Sequence, residues 1–389
     1  MAIPCYVKEL KDYLIELRRH FHKYPEISLR EYKTALKIEE ELDKIKIPHK
    51  RIGETGVVAI LENLVNSERA KTIVLRADID ALPIKERSNA SYKSQNEGVM
   101  HACGHDAHTA CLLGAAKILK NKVNEINGKI IFIFQMAEEI GSGATKFIEA
   151  GYLNNVYRVL GIHMASYLPV GTIGMRSGES NASCDYFKIT VNGKSSHVSK
   201  PHLGVDALYI ASQIVCSLQS IVSRSTNPLE SAVVGIGKME SGTNYNIIAN
   251  KAVLEGTTRS FNEVTRSDVN NKVISLSKQI AESYGASAEI EFKDYASPLV
   301  NDFEVSKEIY DVSTKIVSDK NVLTDINKNL AADDFAEFLK MAKGQFVFIG
   351  SKGGKESSYA HHHESFDIHE DALLVGTSLY VEYVISKLS

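Results

Sequence analysis

The chain has 389 residues, of which 44% are hydrophobic and 24% charged, with a formal net charge of -3. That length exceeds what one hydrophobic core usually covers and predicts two domains, and the composition excludes a disordered or fibrous protein. The balanced charge provides no basic field for nucleic acid or anionic lipid, so the expected partner is a small molecule, with no nucleic-acid and no membrane partner.

The N-terminal stretch MAIPCYVKELKDYLIELRRHFHKYPE breaks its apolar residues with charges every few positions, unlike the apolar core of a signal peptide. No later segment offers the roughly 18 uninterrupted apolar residues of a membrane helix. The cysteines, Cys5, Cys103, Cys111, Cys184 and Cys216, are odd in number and scattered, which argues against a disulfide framework and for a reducing cytoplasm.

Apolar residues at helical spacing predict helices over 6–24 and 30–47, with Tyr24-Pro25-Glu26 as the break between them. Short β-rich runs follow at 56–61 and 72–77. Helical spacing returns over 106–120, with Asp106 placed as an N-cap. The runs KIIFIFQ at 129–135 and RVLGIH at 158–163 read as strands buried on both faces. Helices alternating with buried strands indicate an α/β layer fold.

After about residue 180 the pattern changes. DYFKITVNG alternates with a two-residue period, and a helix over 205–222, two strands, a second helix and AEIEF follow, the β-α-β-β-α-β order of a ferredoxin-like α+β unit. Beyond Asp294 the α/β alternation resumes, with a helix over 304–317, a strand at 345–350 and a closing helix from Glu370. The predicted architecture is a catalytic α/β domain (1–182 and 294–389) interrupted by an inserted smaller domain (183–293).

Residues 100–111, MHACGHDAHTAC, gather His101, Cys103, His105, Asp106 and His108 around a single glycine. Cys103 and His105 flank Gly104, a spacing that lets a turn aim both side chains at one ion. Three further segments end strands with chemistry-bearing groups: Asp78 and Asp80 in LRADIDALPI, Glu138 and Glu139 in FQMAEE, and His163 in GIHMA. Strand ends of an open α/β sheet are where ligands collect. The internal run His361, His362 and His363 leads into an amphipathic helix, and at least one of the three is expected to complete a metal site. Adjacent side chains diverge from the backbone, so Glu138 and Glu139 are expected to do different jobs; adjacency alone leaves open which one ligates. HACGH faintly resembles a zinc deaminase, but no P-C-x-x-C partner follows.

LRADIDALPI, MHACGHDAHTA, FQMAEE, GIHMASYLPVG, GKSSHVSKPHLGVDAL and HHHESFDIHEDAL, in this order, make the chain similar to the metal-dependent aminoacylase and hippurate hydrolase family. That family includes the auxin-conjugate hydrolases and is related to zinc carboxypeptidases with an inserted lid domain. The resemblance implies a mixed-sheet, zinc-peptidase-like catalytic domain with a ferredoxin-like lid and dimerisation domain. It implies that Cys103, His105, Glu139, His163 and His362 hold two divalent ions, with Cys103 as the bridge. The choice of His362 follows from its position four residues before Phe366, and its neighbours His361 and His363 remain alternatives. Asp80 orients a ligand, and Glu138 matches the general acid/base. A thiolate bridge suits Zn²⁺, and the nitrogen and oxygen donors also admit Mn²⁺, Co²⁺ or Ni²⁺.

In the inserted domain the resemblance puts an oxyanion donor at His197, acting across a homodimer interface or within its own chain, and a substrate-carboxylate site at Asn246 and Arg259. The implied reaction is hydrolysis of N-acyl-L-amino acids, hippurate included, to a carboxylic acid and an amino acid. A dipeptidase or N-acetyl-diaminopimelate deacetylase with the same mechanism is the nearer alternative, and a non-catalytic metal-stabilised binding protein the more distant one. Met136 stands where proline is usual, Asp333 where glutamate is usual, and His369 where an acid is usual; none removes an implied ligand.

Overall fold

The apolar runs at 71–78, 128–135, 158–169 and 344–352 have almost no polar face to present to water, and in the computed structural model they lie side by side at the centre of one sheet. The structure describes residues 1–64 and 70–389. It contains two units: Met1–Gly178, Asn301–Asn327 and Asp334–Ser389 form the first, and Glu179–Val300 with Lys328–Asp333 the second. The second unit is thus larger than the segment 183–293 expected from sequence. Residues 328–333 join it because the Asn329 N–H donates to the Ser180 carbonyl and the Asn329 carbonyl accepts from the Ala182 N–H.

The sheet of the first unit is built from β1 (His49–Ile52), β2 (Gly56–Asn63), β3 (Lys71–Asp78), β4 (Gly128–Gln135), β5 (Arg158–Pro169), β6 (Ile173–Gly174), Val322–Leu323 and Gly344–Lys352. Its order is β1-β2-β4-β3-β5, then Gly344–Lys352, β6 and Val322–Leu323. The sheet is mixed: β4, β3, β5 and Gly344–Lys352 run parallel, and β2 is antiparallel to β4. The register pairs Asp78 with Gln135 and Arg76 with Gly161. Residues just past Asp78 and Gln135, at the carboxyl ends of β3 and β4, therefore gather beside His163, which does not end its strand as expected but lies inside β5, level with Asp78.

Helices α1 (Cys5–Lys8), α2 (Lys11–Lys23) and α3 (Tyr32–Lys44) precede this sheet in the chain, and α4 (His105–Asn121) lies between β3 and β4. Helix α4 is buried along almost its whole length and packs against α2, β3 and the helix Ala372–Leu388. Gly114 permits this approach, since a Cβ there would meet Leu14 Cδ2 at 2.4 Å and Thr377 Cγ2 at 3.3 Å. The helix begins one residue earlier than expected, and Asp106 is not its N-cap. Gly104 holds that position, while one Asp106 oxygen accepts from Arg18 and lies beside His22.

The second unit carries four antiparallel strands in the order Ser287–Ala296, Cys184–Asn192, Lys251–Ser260, Ala232–Ser241. Helices Ala207–Ser220 and Glu263–Ser283 complete a β-α-β-β-α-β unit, capped by Asp206 and Asn262 side chains. The alternation read in DYFKITVNG turns Phe187, Ile189 and Val191 into a core shared with Ile210, Ile214, Val269 and Val273. Among the described residues no helix is long and apolar enough to cross a membrane.

Candidate metal centre

Gly104, with φ 94°, is a left-handed link between Cys103 and the first turn of α4, a conformation costly for any residue with a Cβ. It turns the chain sharply between Cys103 and His105. After β4 the chain bends through Ala137 into a short 3₁₀ turn, Glu138–Ile140, which presents two carboxylates in succession. His362 is also left-handed, with φ 64°, and its N–H donates to the Ala102 carbonyl at 2.8 Å, tying the histidine run to the Cys103 loop.

These constraints bring all five implied ligands together. Donor atoms of Cys103, His105 and His163 lie within 4.8 Å of one another, as do those of Cys103, Glu139 and His362. Cys103 is common to both groups. Its Sγ is 3.5 Å from His163 Nε2, and Glu139 Oε2 is 3.5 Å from His362 Nε2. His105 Nε2 is 3.8 Å from Glu139 Oε1 and 3.9 Å from Glu138 Oε2.

The surrounding hydrogen bonds fix which atoms face inward. His105 Nδ1 donates to the Asp80 carbonyl at 2.9 Å and lies 3.3 Å from Asp80 Oδ1, leaving Nε2 turned to the centre. Asp80 Oδ2 accepts from the Glu139 N–H and the Ser28 hydroxyl. His163 Nδ1 donates to the Met164 carbonyl, which again leaves Nε2 inward. Among the three consecutive histidines, His361 gives its Nε2 to the Met164 carbonyl and His363 Nδ1 accepts from the Ser365 N–H, whereas His362 Nε2 faces Glu139.

Asp78, His105 and His108 also cluster, but two of them are already committed. His108 Nε2 accepts from the Met164 N–H, so its Nδ1 carries the proton that bonds Asp78 Oδ1 at 2.6 Å. Asp78 Oδ2 accepts from the buried Arg76 guanidinium at 2.6 Å. These residues brace the base of the centre.

The donor set fits a bound cation. His105 Nε2 and Glu139 Oε1 are buried atoms with no hydrogen-bond partner, an expensive arrangement for groups that only fill a core. Burial, with the charges of Asp80 and Asp78 outweighed only in part by His105, pushes the Glu139 carboxyl up to about 7. Burial and neighbouring Glu139 push the Cys103 thiol well above its ordinary value. His105 titrates well above an ordinary histidine despite its burial, because Asp78 and Asp80 face it. Negative groups packed this closely call for positive charge at their focus.

The other three expected site residues belong to the second unit. His197 is exposed, and its Nδ1 accepts from the Ser199 N–H at 3.1 Å, leaving Nε2 as a proton donor. Asn246 sits on the neighbouring segment, where its carbonyl accepts from the Val198 N–H and its side-chain Oδ1 is buried without a partner. Arg259 lies on the strand Lys251–Ser260, with Nη1 3.4 Å from the Leu330 carbonyl.

A charged network beneath α4 was missed from sequence. Arg18, fully buried, donates to Asp106 at 2.8 Å and to Asp367 at 2.7 Å, and His22 lies between Asp106 and Glu86. The signal was present, since Leu14, Leu17, Arg18, Phe21 and His22 share the buried stripe of α2.

Thiol, imidazole and carboxylate donors converging on unsatisfied lone pairs, beside a further carboxylate, define a metal-dependent hydrolase. Residues 74–386 match the model of peptidase family M20/M25/M40, and the chain belongs to that family. The N-acetyl-L-cysteine deacetylase of Bacillus subtilis (strain 168) is 38% identical over 372 residues, covering 95% of this chain and 87% of that protein. Thermostable carboxypeptidase 2 of Saccharolobus solfataricus is 39% identical over 377 residues, covering 95% of this chain and 94% of that protein. The crystal structure of the Bacillus subtilis YXEP protein, a dinuclear metal binding peptidase of the same family, aligns with a TM-score of 0.83 at 34% identity, covering 98% of this chain and 99% of the other.

Proposed function

We propose that the protein hydrolyses the amide bond of N-acyl-L-amino acids, releasing a carboxylic acid and a free amino acid, as a homodimer in a reducing cytoplasm. Cys103, His105, Glu139, His163 and His362 would hold two divalent ions, Zn²⁺ or Mn²⁺, Co²⁺ or Ni²⁺, Cys103 being the residue common to both donor groups. When bound, such ions would supply a Lewis acid for the scissile carbonyl and would lower the pKa of a bound water toward ~7. Glu138 takes the proton of the attacking water and passes it to the leaving nitrogen. Asp80 keeps His105 in one orientation and holds the Glu139 backbone. His197 supplies an N–H to the developing oxyanion, while Asn246 and Arg259 receive the substrate's carboxylate, for which a forked guanidinium is suited.

The observation that carries this reading is the convergence of His105, His163, Glu139 and His362 on Cys103, with His105 Nε2 and Glu139 Oε1 buried and unpartnered. The test is hydrolysis of N-acetyl-L-methionine and hippurate by metal-stripped protein before and after adding each ion. Metal-restored release of amino acid supports the reading; no release with metal demonstrably bound rejects it. The similarity to a carboxypeptidase favours a second reading in which the substrate is a dipeptide, and a dipeptide panel separates the two. Mixing inactive His197→Ala and Glu138→Gln subunits restores some activity if His197 acts across the dimer, and none if it serves its own chain.

A further inference from the structure

Glu31 stands at the N-cap position of α3, yet its side chain caps nothing in that helix. The first turn of α3 is served from elsewhere, by Glu26 Oε2 accepting from the Thr34 N–H at 2.8 Å and the Thr34 hydroxyl at 3.0 Å. Glu31 is fully buried, a costly place for a carboxylate. Its Oε1 accepts from the backbone N–H of Ala137 at 2.9 Å.

Ala137 is the residue at which the chain turns after β4 to deliver Glu138 and Glu139. Its φ of 56° and ψ of 38° are left-handed, a region that disfavours a residue with a Cβ. Two residues later the Glu139 N–H donates to Asp80 Oδ2 at 3.1 Å. The backbone from 137 to 139 is thus held at both ends by buried carboxylates, one from the start of α3 and one from the end of β3. With its ends fixed, the turn sends Glu139 toward Cys103 and His362 and Glu138 toward His105.

We propose that Glu31 is a positioning residue for this site: by holding the Ala137 N–H it keeps the left-handed turn from which the two adjacent glutamates diverge. This rests on the roles given above to Glu138 and Glu139. Glu31 touches neither substrate nor ion and acts only through the backbone of Ala137.

The test compares Glu31→Leu, Glu31→Gln, Glu31→Asp and the double variant Glu31→Leu/Ala137→Gly in full-length protein. Each is assayed for kcat and KM on N-acetyl-L-methionine, for Co²⁺ affinity and absorption spectrum, and for Tm. Glu31→Leu removes the acceptor and is expected to lower kcat about 10- to 100-fold, with KM little changed and an altered Co²⁺ spectrum. Glu31→Gln keeps an oxygen for Ala137 and is expected to recover most of that loss. Glycine populates the left-handed region without penalty, so Ala137→Gly is expected to recover part of the activity in the Glu31→Leu background. If Glu31→Leu does not fold, Glu31→Asp carries the test: it keeps the charge but withdraws the oxygen by one methylene, and is expected to show the same kcat loss and spectral change at near wild-type Tm.

Wild-type kcat and an unchanged Co²⁺ spectrum in the folded fraction of Glu31→Leu or Glu31→Asp would overturn the proposal, as would equal defects in Glu31→Gln and Glu31→Leu. Should wild-type protein bind Co²⁺ but cleave no N-acyl amino acid, the substrate reading fails, and the Co²⁺ spectra of the variants still decide the role of Glu31.

Discussion

Glu139 Oε2 lies 3.5 Å from His362 Nε2, although the two residues are far apart in the chain and reach the centre from β4 and from the loop before the last helix. His361, beside it, spends its Nε2 on the Met164 carbonyl. His362→Ala is therefore expected to reduce bound metal to about one ion per subunit, while His361→Ala keeps both. Metal content after dialysis, measured by atomic emission, distinguishes the two; equal loss in both would return the choice among the three histidines to open.

The adjacent glutamates should separate cleanly. Glu138→Gln is expected to keep its metal and lose roughly 100- to 10,000-fold in kcat, the range of a missing general acid/base. Glu139→Gln is expected to lose metal first, with activity partly restored by excess Zn²⁺. Loss of metal from Glu138→Gln would exchange the two roles.

Metal loading should release protons. In metal-free protein the Cys103 thiol is pushed well above its ordinary value by burial, His105 is raised above an ordinary histidine by Asp78 and Asp80, and Glu139 is raised to about 7, so each is biased toward its protonated form. Ligation requires the thiolate, the neutral imidazole and the carboxylate, so metal affinity rises with pH and falls as pH drops through 7. Calorimetry in buffers of different ionisation enthalpy should find a net release of protons on metal binding. No dependence on buffer would contradict the assignment.

Arg18 is buried against Asp106 and Asp367. Arg18→Met leaves Asp106 buried without its main counter-charge and is expected to cost about 3–5 kcal/mol of stability. The double variant Arg18→Met/Asp106→Asn should recover part of this, read as midpoints in urea. Additive losses would mean that the pair does not interact.

The strands and most of the centre were legible because their signals are local. Continuous apolar runs marked β3, β4 and β5, and Asp80 and Glu139 stand beyond the carboxyl ends of β3 and β4, where polarity is unexpected; His163 reads as a strand end too, but β5 continues to Pro169 and His163 lies inside it, level with the end of β3. What sequence could not show was direction. Asp106 reads as an N-cap, but the deciding interaction is a buried arginine from α2. Asp78 and His108 look like ligands by type, and only their bonds to Arg76 and the Met164 N–H remove them from that role. Glu31 carries no signal at all, because its partner is a backbone N–H far away in the chain. Residues 328–333 escaped for the same reason, since strand-like pairing to Ser180 and Ala182 leaves no periodicity in so short a segment.

Cys103 and His362 lie far apart in the chain, with the whole second unit and about half of the first between them, and both face Glu139. An ion held by them is a removable cross-link closing a very long loop, and such a link stabilises chiefly by depriving the unfolded chain of conformations. Metal supply and folding are then one equilibrium. A chelator should lower the unfolding midpoint as well as abolish turnover, and newly made chain should resist proteolysis only once its ions are in place.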